Sequence, residues 1–372
     1  MIELVPLQYY VRVFYYSMFA ICLLTGLYYQ ANPGCEKLLR RNSLFFPLLL
    51  SIVLILYMGL RPTSYRFGDM PLYEHRWNMS DSIQVNLFDF HSEWFFDYLM
   101  FICKALVPNA QFWFVVIDII YIGCQYWACK KLLWENVWLA ILFVFFSFQF
   151  FSYGTNGLRN GMACSMMILS IAYFCDRSRN GNLIGFLLFV VAMACHRSVI
   201  IPIAAVMVSM YIIKDIKIAI YIWIGCIVLS LIAGSTFQNI IFGLGFDERM
   251  STYSSIGEKT LSEFSHLGFR WDFLLYSAMP VWLALIVRNK GIYDSSFTLL
   301  ANTYIIANSF WILICRVAFS NRFAYLSWFL YALVIAYAVV RIPIWKNQDR
   351  IAGWILIAHS FFTLLMYIIE RF

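Results

Sequence analysis

The chain has 372 residues, of which 62% are hydrophobic and only 13% charged. A soluble domain of this length cannot hide so much apolar surface, because a single core saturates first; the excess must face lipid. The formal charge of +7 does not point to nucleic acid, since the basic residues fall in short clusters between apolar runs, and no nucleic-acid partner is expected.

In chain order, twelve segments approach the roughly 20 apolar residues that a membrane helix requires. They are residues 9–30, 44–60, 111–128, 137–151, 157–175, 183–195, 198–213, 218–237, 271–287, 296–315, 323–340 and 351–369. The expected fold is all-α, a polytopic bundle of about 12 transmembrane helices. It forms one integral membrane domain over 1–372, with external loops at 61–93 and 238–270. The first segment lacks a basic leader and a small-residue cleavage site, so it is read as a retained helix. Segment 94–106 is apolar but thirteen residues long and interrupted by Asp97 and Lys104; it reads as an interfacial or re-entrant helix.

Charge orients the bundle. With an outward N-terminus, the inner loops collect clusters such as Lys37, Arg40 and Arg41, the pair Lys130 and Lys131, and Arg341, Lys346 and Arg350. They hold fourteen of the 27 basic residues and six of the 20 acids, a net +8 that leaves −1 for the rest. Each inner loop carries at least two basic residues, as the positive-inside rule asks. Counting 94–106 as a span would invert every later loop.

Ten cysteines are present, nearly all in or beside apolar segments and none in the two polar loops. Neither a disulfide framework nor a thiolate metal site is expected. No P-loop, dinucleotide fingerprint, HExxH or GxSxG motif occurs, and Asp69, Asp81 and Asp89 are too scattered for a metal site. No metal and no cofactor are expected.

The informative residues are ionisable groups at membrane depth, which are costly there and mark sites. Arg61, Arg66 and Asp69 follow the second segment in GLRPTSYRFGD. Arg159 opens an inward-running helix in GTNGLRNGMA, and His196 and Arg197 open another in ACHRSVIIP. Arg316 and Arg322 flank the start of a third in CRVAFSNRFAYL. One arginine near a span end ordinarily snorkels to the interface, and Arg197 and Arg371 are read that way. The others gather on the outer side, where anchoring arginines are not expected. Three helix starts with several guanidinium groups make an anion receptor, and a membrane-anchored polyprenyl pyrophosphate fits it.

These motifs resemble the EpsG-like branch of the Wzy polysaccharide polymerases. The resemblance rests on GLR with the following Gly68-Asp69, LRNGMA around Arg159, HRS at His196–Ser198 and NRFAY at Asn321–Tyr325, in that order among apolar spans. Tyr73 stands further from Asp69 than in the family's usual acidic–aromatic pairing. The resemblance implies a multi-pass protein of the bacterial inner membrane with a GT-C-like architecture and a periplasmic active site. Its substrates would be undecaprenyl-pyrophosphate-linked oligosaccharides, joined into O-antigen, capsule or exopolysaccharide, with membrane lipids and a chain-length regulator as partners. In that chemistry Arg159, Arg316, Arg322, Arg66 and Arg61 would hold the pyrophosphate. His196 would be the base, since an imidazole titrates near neutrality, and Asp69 the reserve. Tyr73, Trp77 and Tyr325 would stack on sugars, although interfacial belting explains such aromatics too. A ligase using the same donor, or a transporter of lipid-linked sugars, remain alternatives. The transporter lacks the internal repeat and mid-membrane charges usual in that class.

Overall fold

Long apolar runs leave backbone polar groups nowhere to pair but within their own segment, so they fold as helices. The computed structural model describes residues 5–32, 44–80, 93–243, 268–316 and 320–369, and every regular element among them is helical. The helices are α1 (Leu7–Ala31), α2 (Phe45–Gly59), α3 (Met70–Asn78), α4 (Trp94–Leu106), α5 (Ala110–Leu132), α6 (Val137–Phe145), α7 (Phe150–Thr155) and α8 (Leu158–Phe174). They continue as α9 (Arg179–Cys195), α10 (Ile200–Tyr211), α11 (Ile216–Gly243), α12 (Trp271–Asn289), α13 (Ser295–Leu313), α14 (Ser320–Trp328), α15 (Tyr331–Arg341) and α16 (Gln348–Ile369). Among the described residues, seven helical stretches are long and apolar enough to cross a membrane, and four further apolar helices are shorter. Of the sequence expectations, loop residues 81–92 and 244–267, the basic Lys37, Arg40 and Arg41, and Arg371 lie outside the described residues.

Two expected continuous spans are broken, and a third, 218–237, is kinked at Ala233 within α11. Segment 137–151 splits into α6 and α7 around Phe146–Gln149, and segment 323–340 splits into α14 and α15 around Phe329–Leu330. The first break is sustained from α16. His359 Nε2 donates to Phe143 O (3.1 Å) and Thr363 Oγ1 to Phe146 O (3.0 Å), while Tyr121 Oη donates to Phe150 O (2.9 Å). Carbonyls freed in an apolar setting need such donors, or the break would cost several kcal/mol. Helices α6 and α15 are buried nearly all round and form the centre of the bundle.

Helix α4 spans roughly 20 Å, short of the roughly 30 Å hydrocarbon core. Its polar side chains are tied to the preceding loop: Asp97 accepts two hydrogen bonds from Arg76 (2.9 and 2.7 Å), and Lys104 reaches Ser80 Oγ (2.6 Å).

The loops sort to two ends. At one, Lys131 pairs with Asp176, Arg288 with Asp215 (2.9 Å) and Arg341 with Glu135 (3.9 Å), while Lys290 donates to Ile344 O. These contacts link loops expected to share the inner side. The segments expected outside meet at the opposite end.

Candidate active site

Gly161 sets the first part of the site. A Cβ there would collide with the carbonyl of Tyr153, so only glycine lets α8 pack back onto α7. The corner between them presents Ser152, Asn156, Arg159 and Asn160 together. The N-cap of α8 is Gly157 and that of α10 is Val199, and neither supplies a side-chain cap. The first N–H groups of α8 are therefore not claimed by a capping side chain, whereas the Ile200 N–H at the start of α10 already meets Arg197 O and Ser198 O of a preceding 3₁₀ turn; both helix dipoles favour an anion in front of them.

Gly68 sets the second part. Its φ of +65° is a left-handed conformation, and a Cβ would strike the Asn156 side chain. Glycine thus lets the Asp69 N–H donate to Asn156 Oδ1 at 2.8 Å, which locks the segment between α2 and α3 onto the α7–α8 corner.

Together these segments enclose a cavity of about 210 Å³. Asp69 and Tyr73 come from the first loop, Asn156, Arg159 and Asn160 from the corner, His196 and Ser198 from the start of α10, and Asn321 and Arg322 from α14. Four motifs spread from Asp69 to Arg322 therefore converge on one space. Glu93, at the start of α4, stands behind it. One carboxylate oxygen accepts from Arg159 and the other pairs with His196 Nδ1. Burial alone would raise the Glu93 pKa, but His196 and Arg159 outweigh it and hold the carboxyl at about 2, below the usual 4.5.

Other expected site residues lie elsewhere. Arg61 is fully buried, donating to Asp118 (3.1 Å), Thr155 O (3.1 Å) and Met58 O. It cannot reach a ligand, because its charge is consumed by an ion pair inside the bundle. Arg316 lies against Gly234 and over the Phe269 ring (5.8 Å), and does not line the cavity. Arg66 is exposed on a 3₁₀ turn outside it. Trp77 is buried against Trp113 (ring centroids 5.9 Å apart). Tyr325 is buried face to face with Tyr153 at 3.3 Å, and it is Tyr153 that lines the cavity. Of the three aromatics expected at sugars, Tyr73 alone reaches the space.

The sequence reading missed Glu93, Asp118, Tyr153 and the amides Gln149, Asn156, Asn160 and Asn321. Asp118 carried a signal: an acid in the middle of segment 111–128 needs a cation, and Arg61 was available. Glu93 carried a weaker one, as an acid at a helix start.

Comparison with curated proteins gives no match, and comparison with solved structures gives none. The family model described as the EpsG family matches residues 42–371, a stretch that contains all four converging motifs, and the chain therefore belongs to the EpsG family.

Proposed function

We propose that the protein is a polysaccharide polymerase that joins lipid-linked oligosaccharide repeat units, with polyprenyl pyrophosphate as the leaving group. The observation that carries this reading is the convergence of Arg159, Arg322, His196 and Asp69 on one cavity beside two helix starts that lack side-chain caps. The membership in the EpsG family supports the same class of activity.

In the reaction, an acceptor hydroxyl attacks the anomeric carbon of the growing chain. The new C–O bond forms as the bond to the pyrophosphate breaks, and the leaving group departs with the electron pair. Negative charge grows on the diphosphate, where Arg159 and Arg322 stabilise it without waiting for solvent to reorganise. His196 takes the hydroxyl proton. Asp69 lies at the rim, and the cavity amides match sugar hydroxyls as both donors and acceptors. Arg316 and Arg66 lie outside this cavity and would meet only substrate parts beyond it.

We place the cavity at the periplasmic face of a bacterial inner membrane, in a GT-C-like bundle of about twelve spans. The concentration of basic residues in the opposite loops supports that orientation. The lipid is then undecaprenyl, the product an O-antigen, capsule or exopolysaccharide, and a chain-length regulator a partner in the membrane. The test is reconstitution of the purified chain with lipid-linked repeat units as both donor and acceptor. A ladder of products is expected, lost in Arg159→Ala and in His196→Ala. Wild-type polymerisation in both variants removes the assignment, and transport of the units with no covalent product replaces it with a transporter.

A further inference from the structure

We propose that Glu93 is a positioning residue that holds His196 in the tautomer whose cavity-side Nε2 is unprotonated, while its second oxygen fixes Arg159. The inference rests on the reading of His196 as the proton acceptor.

Geometry carries it. Glu93 does not line the cavity, whereas His196 and Arg159 both do. Its Oε1 meets His196 Nδ1, and its Oε2 meets an Arg159 nitrogen. An ionised carboxylate can only accept hydrogen bonds, so Nδ1 must carry the proton in this pair. In a neutral imidazole that leaves a lone pair on Nε2, the remaining ring nitrogen and the one free to meet substrate. Glu93 stays ionised throughout the physiological range, with its pKa held at about 2 against burial by His196 and Arg159, so it does not compete for the proton. The start of α4 adds the positive end of a helix dipole beneath the carboxylate. One side chain thereby aligns the proton acceptor and a diphosphate cation, at a distance fixed by its two oxygens.

Arg159 makes the role testable. A guanidinium has donors and no acceptor. In Glu93→Gln, the amide oxygen must therefore turn to Arg159, and the NH₂ group is left facing His196 Nδ1. That nitrogen is then forced to accept, and the proton moves to Nε2. The same inversion costs a serine protease triad about 10⁴-fold when its aspartate becomes asparagine. Here a kcat loss of about 10²-fold or more is expected, with KM within about threefold, because Arg159 keeps its partner.

The experiment uses the full chain in proteoliposomes, labelled with ¹⁵N-histidine. The chain has five histidines, and the His196 signals are assigned by their loss in His196→Ala. In the pH range where the ring is neutral, the wild-type spectrum should show Nδ1 protonated and Nε2 bare, and Glu93→Gln should reverse the two. Polymerisation is followed in the same vesicles with lipid-linked repeat units extracted from cells lacking the gene. A neutral wild-type ring with its proton on Nε2 overturns the proposal, even if the variant does not fold. So does a Glu93→Gln protein with wild-type tautomer and wild-type kcat. If His196→Ala polymerises normally, the functional reading fails instead, while the spectrum still reports separately on whether Glu93 sets the ring.

Discussion

The two ends of the bundle use the same materials in opposite ways. At the basic end, four helix starts are closed by their own side chains, with Asn136 capping α6, Ser178 α9, Asp215 α11 and Asp294 α13, while α2 begins at Leu44 without one. Cations there meet acids from neighbouring loops. At the cavity end, α8 and α10 begin without side-chain caps, and Arg159 and Arg322 line a space, Arg159 while also paired with Glu93. An arginine near a helix start thus indicates little until its partners are known. What separates a scaffold from a receptor is whether the cation also borders a cavity with room for a ligand.

Arg61 offers the hardest test of that distinction, because it lies in a motif of the cavity end yet is built like scaffold. Both partners of the Arg61–Asp118 pair are fully buried. Removing one leaves a charge unpaired in the interior, which costs about 3–5 kcal/mol. Arg61→Ala should therefore deplete folded protein, measured by fluorescence-detected gel filtration, before activity is considered. The double variant Arg61→Met with Asp118→Leu removes both charges and should recover much of the yield. Poor activity in that well-folded variant would instead give Arg61 a part in the site, by its hold on the Thr155 carbonyl.

Arg159→Ala and Arg322→Ala should behave the other way. Protein yield should stay near wild type in Arg322→Ala and fall modestly in Arg159→Ala, which gives up its pair with Glu93, while kcat/KM falls about 10²–10³-fold in both, as when one donor to a developing anion is lost. A loss of folded protein matching the loss of rate would erase the contrast between the two ends.

Of the residues singled out in the sequence, Asp69, Tyr73, Arg159, His196 and Arg322 share one cavity, whereas the breaks in the framework were not foreseen. Helix positions follow from apolar run length, and arginines and a histidine at helix starts stand out in a chain with so little charge. The break at Phe146–Gln149 was hidden, because FVFFSFQFF contains no proline or glycine. It is held open by His359 and Thr363, more than two hundred residues away, a tertiary cause that no local pattern records. Tyr325 was expected at sugars, but Tyr153 lines the cavity and Tyr325 packs against it, for a related reason. Periodicity marks both as bundle-facing, and only packing decides which ring is in front.

Acid titration compares the ends at intermediate cost. Glu93 is held at about 2, burial notwithstanding, by His196 and Arg159, and Asp215 also at about 2, chiefly by Arg288. Both folded-state values are depressed, so each contribution is complete above the unfolded pKa near 4 and is lost as pH falls toward 2. Thermal midpoints should therefore be flat with respect to these groups from pH 8 to 5 and decline below about 4.5. Glu93 is mostly shielded, and its share is up to about 3 kcal/mol. The Arg288–Asp215 pair is well exposed, so solvent screens it and it adds little. Glu93→Gln should flatten the acid limb and Asp215→Asn should leave it nearly unchanged. Equal effects would mean that the cavity end is as wet as the basic end.

The smallest effect isolates capping from chemistry. Ser178 accepts from the Gly181 N–H at 2.9 Å and closes the start of α9, the helix whose far end delivers His196. Ser178→Ala frees that donor and should lower stability by about 1 kcal/mol, read as a small drop in thermal midpoint. Polymerisation should persist at the wild-type rate, since the cost falls on a helix start a full helix length from the cavity. Introducing a cap at the other end is the complementary experiment. Gly157→Ser would supply an oxygen to the first N–H groups of α8, but its Cβ would press on the Tyr153 ring at 2.7 Å. That ring would have to yield for the new cap to form, so activity should fall even where the helix itself gains. A Gly157→Ser enzyme with undiminished rate would show that the α8 start is not where the anion rests, and the contrast between a closed end and an open one would lose its functional meaning.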